Sequence, residues 1–261
     1  MRERMTAGGR IDETGPDTRR LTIPPQSQNQ RPHYEVAQLD DYTGLSRSNF
    51  PWQPPASLAL SARVSANHLP GTWGFGWWND PFSADIGLGA AGRRFPAPPN
   101  AAWFFYGSSQ NYLALNDDHP TAGFLAATFS APRLPWPLLT LSMPALPLLG
   151  LSPTARLVRR IAQRIVRDDA ATVNTVPTRM HRYQIVWESD EVRFLVDDNL
   201  VFHTSVVPRG PLGAVLWIDN QYMRFPPDGK IRFGTLPHPG GWLEVHDIAL
   251  YSNWTGSRGQ Q

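Results

Sequence analysis

Cysteine is absent from the 261 residues, which excludes disulfides, thiolate metal sites and cysteine nucleophiles together. Lysine is almost absent: Lys230 stands alone, and the other cationic side chains are arginines. Charged residues make up only 18% and sum to +2, so the clustered basic excess of a nucleic-acid surface is missing. No apolar leader follows the polar stretch Met1 to Arg10, and the expected location is cytoplasmic. His33, His68, His119, His181, His203, His238 and His246 show no H-x-H or H-E-x-x-H spacing, so neither a metal nor a cofactor is expected. Neither a P-loop nor a G-x-S-x-G occurs, which removes support for P-loop and α/β-hydrolase chemistry.

Punctuation and rings are plentiful instead. With 26 Pro and 21 Gly the chain has little room for long helices and favours short strands joined by turns. Residues 1–32 mix charge, Gly, Pro and Gln with little apolar periodicity and are expected to form a disordered or loosely attached arm. Period-2 alternation then marks strands at Ser57–Ser65, Gly71–Trp78, Ala101–Tyr106, Asn111–Leu115 and Thr121–Phe129. A hairpin joins Arg182–Trp187 to Glu191–Val196, and Leu200–His203, Leu212–Ile218 and Trp242–Tyr251 follow. The pattern predicts an all-β sandwich domain over 33–252, with a flexible tail at 253–261.

One insertion, 134–169, interrupts the strands. From Leu134 to Leu151 it is apolar, but Pro135, Pro137, Pro144 and Pro147 forbid a membrane-spanning helix. An amphipathic helix follows, opening on Ser152 and Pro153. Leu157, Val158, Ile161, Ile165 and Val166 form one face, and Arg156, Arg159, Arg160, Arg164 and Arg167 the other. The expectation is an apolar face packed on the sandwich with solvated arginines; a lid, or peripheral membrane contact through 134–167, stays open beside it.

Four segments carry a family resemblance. His181-Arg182-Tyr183-Gln184-Ile185-Val186-Trp187 with Val192-Arg193-Phe194-Leu195-Val196-Asp197-Asp198 resembles a hairpin of the concanavalin A-like glucanases, glycoside hydrolase family 16. Ala62-Arg63-Val64 with Gly71 to Trp78, then Pro211 to Asn220, then Trp242 to Tyr251, are similar to further strands of that family in the same order. The resemblance implies a jelly roll of two antiparallel sheets with a concave groove. It also implies an E-x-D-x-(x)-E strand supplying a nucleophile and a general acid; the strand in that place, Ala101-Ala102-Trp103-Phe104-Phe105-Tyr106, has no carboxylate.

Loss of two-carboxylate hydrolysis is therefore expected, with Asp80 and Asp219 as the only substitute catalytic pair. The expected ligand contacts are Trp73, Trp77, Trp78, Trp103, Phe105, Tyr106, Trp217 and Asn220, since alternating rings on both faces of a strand leave one set directed at a cleft. Three functions stay open. The favoured one is a groove for a hydrophobic or amphipathic small molecule, in a binding protein or a non-hydrolytic enzyme of cyclase or isomerase type. The others are a carbohydrate-binding protein and an active β-glycan hydrolase with atypical carboxylates.

Overall fold

The computed structural model describes residues 1–6, 8–27, 31–81, 97–132 and 152–252. Two seven-stranded antiparallel sheets face each other. The front sheet runs, in spatial order, β1 (Arg2–Met5), β4 (Val36–Asp40), β13 (Gly213–Asp219), β6 (Thr72–Trp78), β7 (Ala101–Gly107), β8 (Gly123–Ser130) and β9 (Arg167–Thr172). The back sheet runs β12 (Asn199–Thr204), β11 (Val192–Val196), β10 (His181–Trp187), β5 (Ala56–Val64), β16 (Pro239–Ser252), β3 (Thr18–Pro25) and β2 (Arg10–Gly15). A small hairpin, β14 (Gln221–Arg224) and β15 (Arg232–Thr235), stands beside the front sheet. The expected jelly-roll sandwich is what forms.

Alternation decides which rings fill the space between the sheets. On β6, Trp73, Phe75 and Trp77 point inward, and on β7 Phe104 and Tyr106 do the same. They meet Tyr183, Trp187 and Phe194 of the back sheet, with ring centroids 5.6 Å apart for Trp77–Trp187 and 5.3 Å for Phe104–Phe194. Trp73 and Trp77 have essentially no solvent contact. Three of the expected ligand rings, Trp73, Trp77 and Tyr106, are thus core side chains, because their strand positions share the parity of the inter-sheet residues.

Residues 1–32 are not an arm. They supply β1 at one edge of the front sheet and the β2–β3 hairpin at one edge of the back sheet, and Leu21 and Ile23 are fully buried. Their charged composition is what edge strands carry, since unpaired edges are protected by polar side chains. Asn111–Leu115 differs as well: it makes a single bridge, Tyr112 to Arg224, instead of a strand. Asn111 redirects the chain by accepting the Met223 amide at 3.0 Å.

The helix, α1 (Ser152–Ile165), forms where expected, and only the end of its apolar face packs as expected, with Val166 buried and Ile165 against the same cluster. Ala155 and Arg159 are buried, while Leu157 and Ile161 are 50% and 46% exposed. Arg159 donates to the carbonyls of Ala114 and Leu115 at 3.1 and 3.0 Å, and also to the Phe225 carbonyl and Asp117. Those loop carbonyls lack ladder partners, and a guanidinium can satisfy several of them at once. The solvated-arginine expectation therefore fails at this position. Residues 134–151 and 253–261 lie outside the described residues. Among the described residues no helix is long and apolar enough to cross a membrane.

Candidate functional site

The outward face of the front sheet collects the other parity. Trp78 from β6, Trp103 and Phe105 from β7, and Trp217 from β13 form a second apolar cluster, separate from the core. Two glycines make room for it. A Cβ at Gly74 would stand 2.8 Å from the Trp217 indole, and one at Gly76 would stand 2.6 Å from the Trp103 Cβ. The rings consequently lie down on bare backbone. Trp217 packs parallel to Trp78 with centroids 6.2 Å apart, and Trp103 lies 5.5 Å from Trp217.

Over this floor is a cavity of about 130 Å³, flanked by Tyr222, Met223 and Phe233 of the β14–β15 hairpin and by Leu113. An apolar cavity of roughly 150 Å³ admits benzene, so the enclosed part holds about one six-membered ring. Four of the expected ligand residues, Trp78, Trp103, Phe105 and Trp217, line it, as do Asp80 and Asp219. Asn220 does not. It is fully buried and braces the turn after β13, accepting the Glu35 amide and donating to the carbonyls of His33 and Leu236, each at 2.9 Å.

Asp219 is the polar centre of the cavity. Its position on β13 shares the parity of Trp217, which aims it at the cavity, and it is only 8% exposed. Its Oδ1 accepts from the Thr72 hydroxyl at 2.7 Å and from the amides of Thr72 and Gln221 at 3.2 Å each. The Trp217 indole N–H in turn donates to the Thr72 hydroxyl at 2.9 Å, fixing that group. Burial pushes the carboxyl up to about 7, and the three donors oppose this only in part. A group at that value carries and releases a proton near neutrality. Neighbouring Tyr34 is held far above its usual range by burial and by the Asp219 charge, so its hydroxyl stays neutral.

Asp80 occupies the opposite end. It follows Trp78 by two residues, whereas Asp219 pairs with Thr72 at the start of the same strand. The length of β6, roughly 20 Å, therefore separates their anchor points. The carboxyl groups of a glycosidase pair stand roughly 5–9.5 Å apart. Asp80 and Asp219 line one cavity from opposite ends of β6.

Sequence reasoning missed Thr72, Gln38 and Arg4, all of which line the cavity. Thr72 was legible through the parity of Trp78 on β6. Arg4 was not, because nothing in a charged N-terminal segment announces its sheet.

No family model and no curated protein matches the chain. Solved structures match its fold. The Bacteroides ovatus mixed linkage glucan GH16 protein, in complex with G4G4G3G product, superposes with a TM-score of 0.50 over 94% of this chain and 86% of its own, at 9% identity. A legume lectin-like domain from Entamoeba histolytica gives 0.48 over 95% and 89%, at 8% identity. A protein described as a sialidase gives 0.42 at 8% identity; this chain covers 17% of it, with 96% of this chain aligned. The chain shares the two-sheet antiparallel sandwich fold of the Bacteroides ovatus structure. At this identity the likeness concerns architecture, and chemistry has to be argued from the site.

Proposed function

We propose that the protein holds a hydrophobic or amphipathic small molecule over the ring-covered front sheet, as a binding protein or a non-hydrolytic enzyme of cyclase or isomerase type. The observation that carries this reading is the outward face of β7, where Ala101, Trp103 and Phe105 present rings and a methyl group and no carboxylate. Rings cannot protonate a leaving oxygen or attack a sugar carbon.

Plain sugar binding fits less well. Stacking on a pyranose needs an open ring face, and Trp103, Phe105 and Trp217 are 6%, 5% and 7% exposed, their faces taken by one another. What the cavity offers is a small, ring-floored space with the buried Asp219 carboxyl at one end and Asp80 at the other. Confinement of a flexible apolar molecule next to a proton donor suits ring closure or double-bond migration. In that role Asp219 protonates or hydrogen-bonds the ligand through Oδ2, since Oδ1 is occupied by its three donors.

The test uses freshly purified full-length protein. Native mass spectrometry is expected to show a retained lipophilic mass, and incubation with mixed-linkage glucan or laminarin is expected to release no reducing sugar. Sugar release abolished by Asp80→Asn or Asp219→Asn would overturn the reading.

A further inference from the structure

A cation, Arg4, also lines this cavity. Arg4 pairs in register with Gln38 on β4, and Gln38 pairs with Trp217 on β13. Trp217 pairs with Gly74, and Gly74 with Phe105. In antiparallel sheets directly opposed residues project to the same face, so this is one row across the front sheet. It reads guanidinium, amide, indole, the bare backbone of Gly74 beneath that indole, and phenyl. Arg4, Gln38, Trp217 and Phe105 all line the cavity.

No ion pair joins Arg4 to a carboxylate among the described residues. Its neighbour on the strand behaves differently, since Arg2 donates to the Thr43 carbonyl at 2.9 Å. The acids nearest in kind are committed elsewhere. Asp40 takes the Tyr42 and Thr43 amides and the Gln38 amide group, and Glu35 takes Thr6 and His33. Arg4 and Asp219 both act on Tyr34, which stays neutral. A guanidinium that makes no ion pair among the described residues is open to a ligand anion, and its fork geometry matches a carboxylate.

We infer that the molecule taken by this site is an amphipathic carboxylic acid, its carboxylate on Arg4 and its ring or branched alkyl group against Trp217 and Phe105. This rests on the reading of the cavity as a small-molecule site. Two interstrand spacings, roughly 10 Å, separate Arg4 from Trp217 at the backbone. The long arginine side chain covers part of that distance, which leaves room for a short linker between head and ring.

The probes are 3-phenylpropionate and its uncharged isostere 3-phenylpropionamide, titrated into the full-length protein and into Arg4→Gln by calorimetry. Wild type is expected to bind the acid about ten-fold tighter than the amide, the size of a charge-assisted hydrogen-bonded contact. Arg4→Gln is expected to abolish that preference, bringing acid binding down to the level of the amide. Equal binding of acid and amide by wild type, or a preference that survives in Arg4→Gln, would overturn the head-group assignment and leave the cavity reading standing. Failure of both probes to bind at about 5 mM would overturn the cavity reading and this inference with it.

Discussion

Replacing Asp219 by Asn separates the charge of that group from its shape. Asparagine retains an oxygen that can accept from Thr72 and Gln221, but it cannot ionise. In the folded protein the carboxyl is raised from 3.8 to about 7 by burial. The folded state thus binds this proton more tightly than the unfolded chain does. Its stabilising contribution is full below pH 3.8 and disappears as pH rises through 7, where a buried carboxylate must be carried instead. A shift of about three units corresponds to about 4 kcal/mol. Urea unfolding of both proteins from pH 4 to pH 9 should therefore give curves that converge in acid and diverge in base, with Asp219→Asn the more stable above pH 7. In a thermal scan the divergence should reach about 10 °C for a domain of this size. Taking the difference between the two proteins cancels every other titrating group. Parallel profiles across the range would refute both the buried, protonated carboxyl and its place as the proton donor of the cavity.

Two further substitutions probe the surroundings. Arg159→Ala should destabilise by about 3 kcal/mol in chemical unfolding, because it strands the carbonyls of Ala114 and Phe225 and empties a buried site, while Leu157→Ser should stay within about 0.5 kcal/mol; the reverse ranking would overturn this account of the helix packing. On the back sheet burial raises Glu244, but hydrogen bonds from Arg20, Arg63 and His246 outweigh it and hold the group down at about 2. That contribution is present above pH 4.5 and fades as pH falls through 2, so Glu244→Gln should cost about 2 kcal/mol at pH 7 and almost nothing near pH 2, measured by urea unfolding at each pH.

Much of the sandwich was readable because its strands alternate. Trp73, Phe75 and Trp77 differ from Trp78 by one step, and period 2 alone separates core from cavity floor. Parity does not say which set faces inward, which is why Trp73, Trp77 and Tyr106 were expected at the ligand. Gly74 and Gly76 carried the missing signal: two glycines of one parity mark the face on which neighbouring rings lie directly on backbone. Arg159 was unreadable for another reason. Helical periodicity sorts side chains by polarity, whereas its burial answers to carbonyls on loops far away in sequence. The edge strands β1 and β2 hold too few apolar residues to announce themselves, and only pairing with β4 and β3 orders them.

The back-sheet order has a consequence for how the chain assembles. Strand β16 sits between β5 and β3, so the early hairpin β2–β3 joins its sheet only through residues near the far end of the sequence, Thr18 opposite His246. A ribosome-bound chain that has not yet delivered Pro239–Ser252 leaves that hairpin without a seat and Leu21 and Ile23 uncovered. Closure is then a late, long-range event, of the sort that places β-rich proteins among the slow folders, at milliseconds to seconds. Shortening the chain before residue 239 would therefore unseat its beginning as well as remove its end.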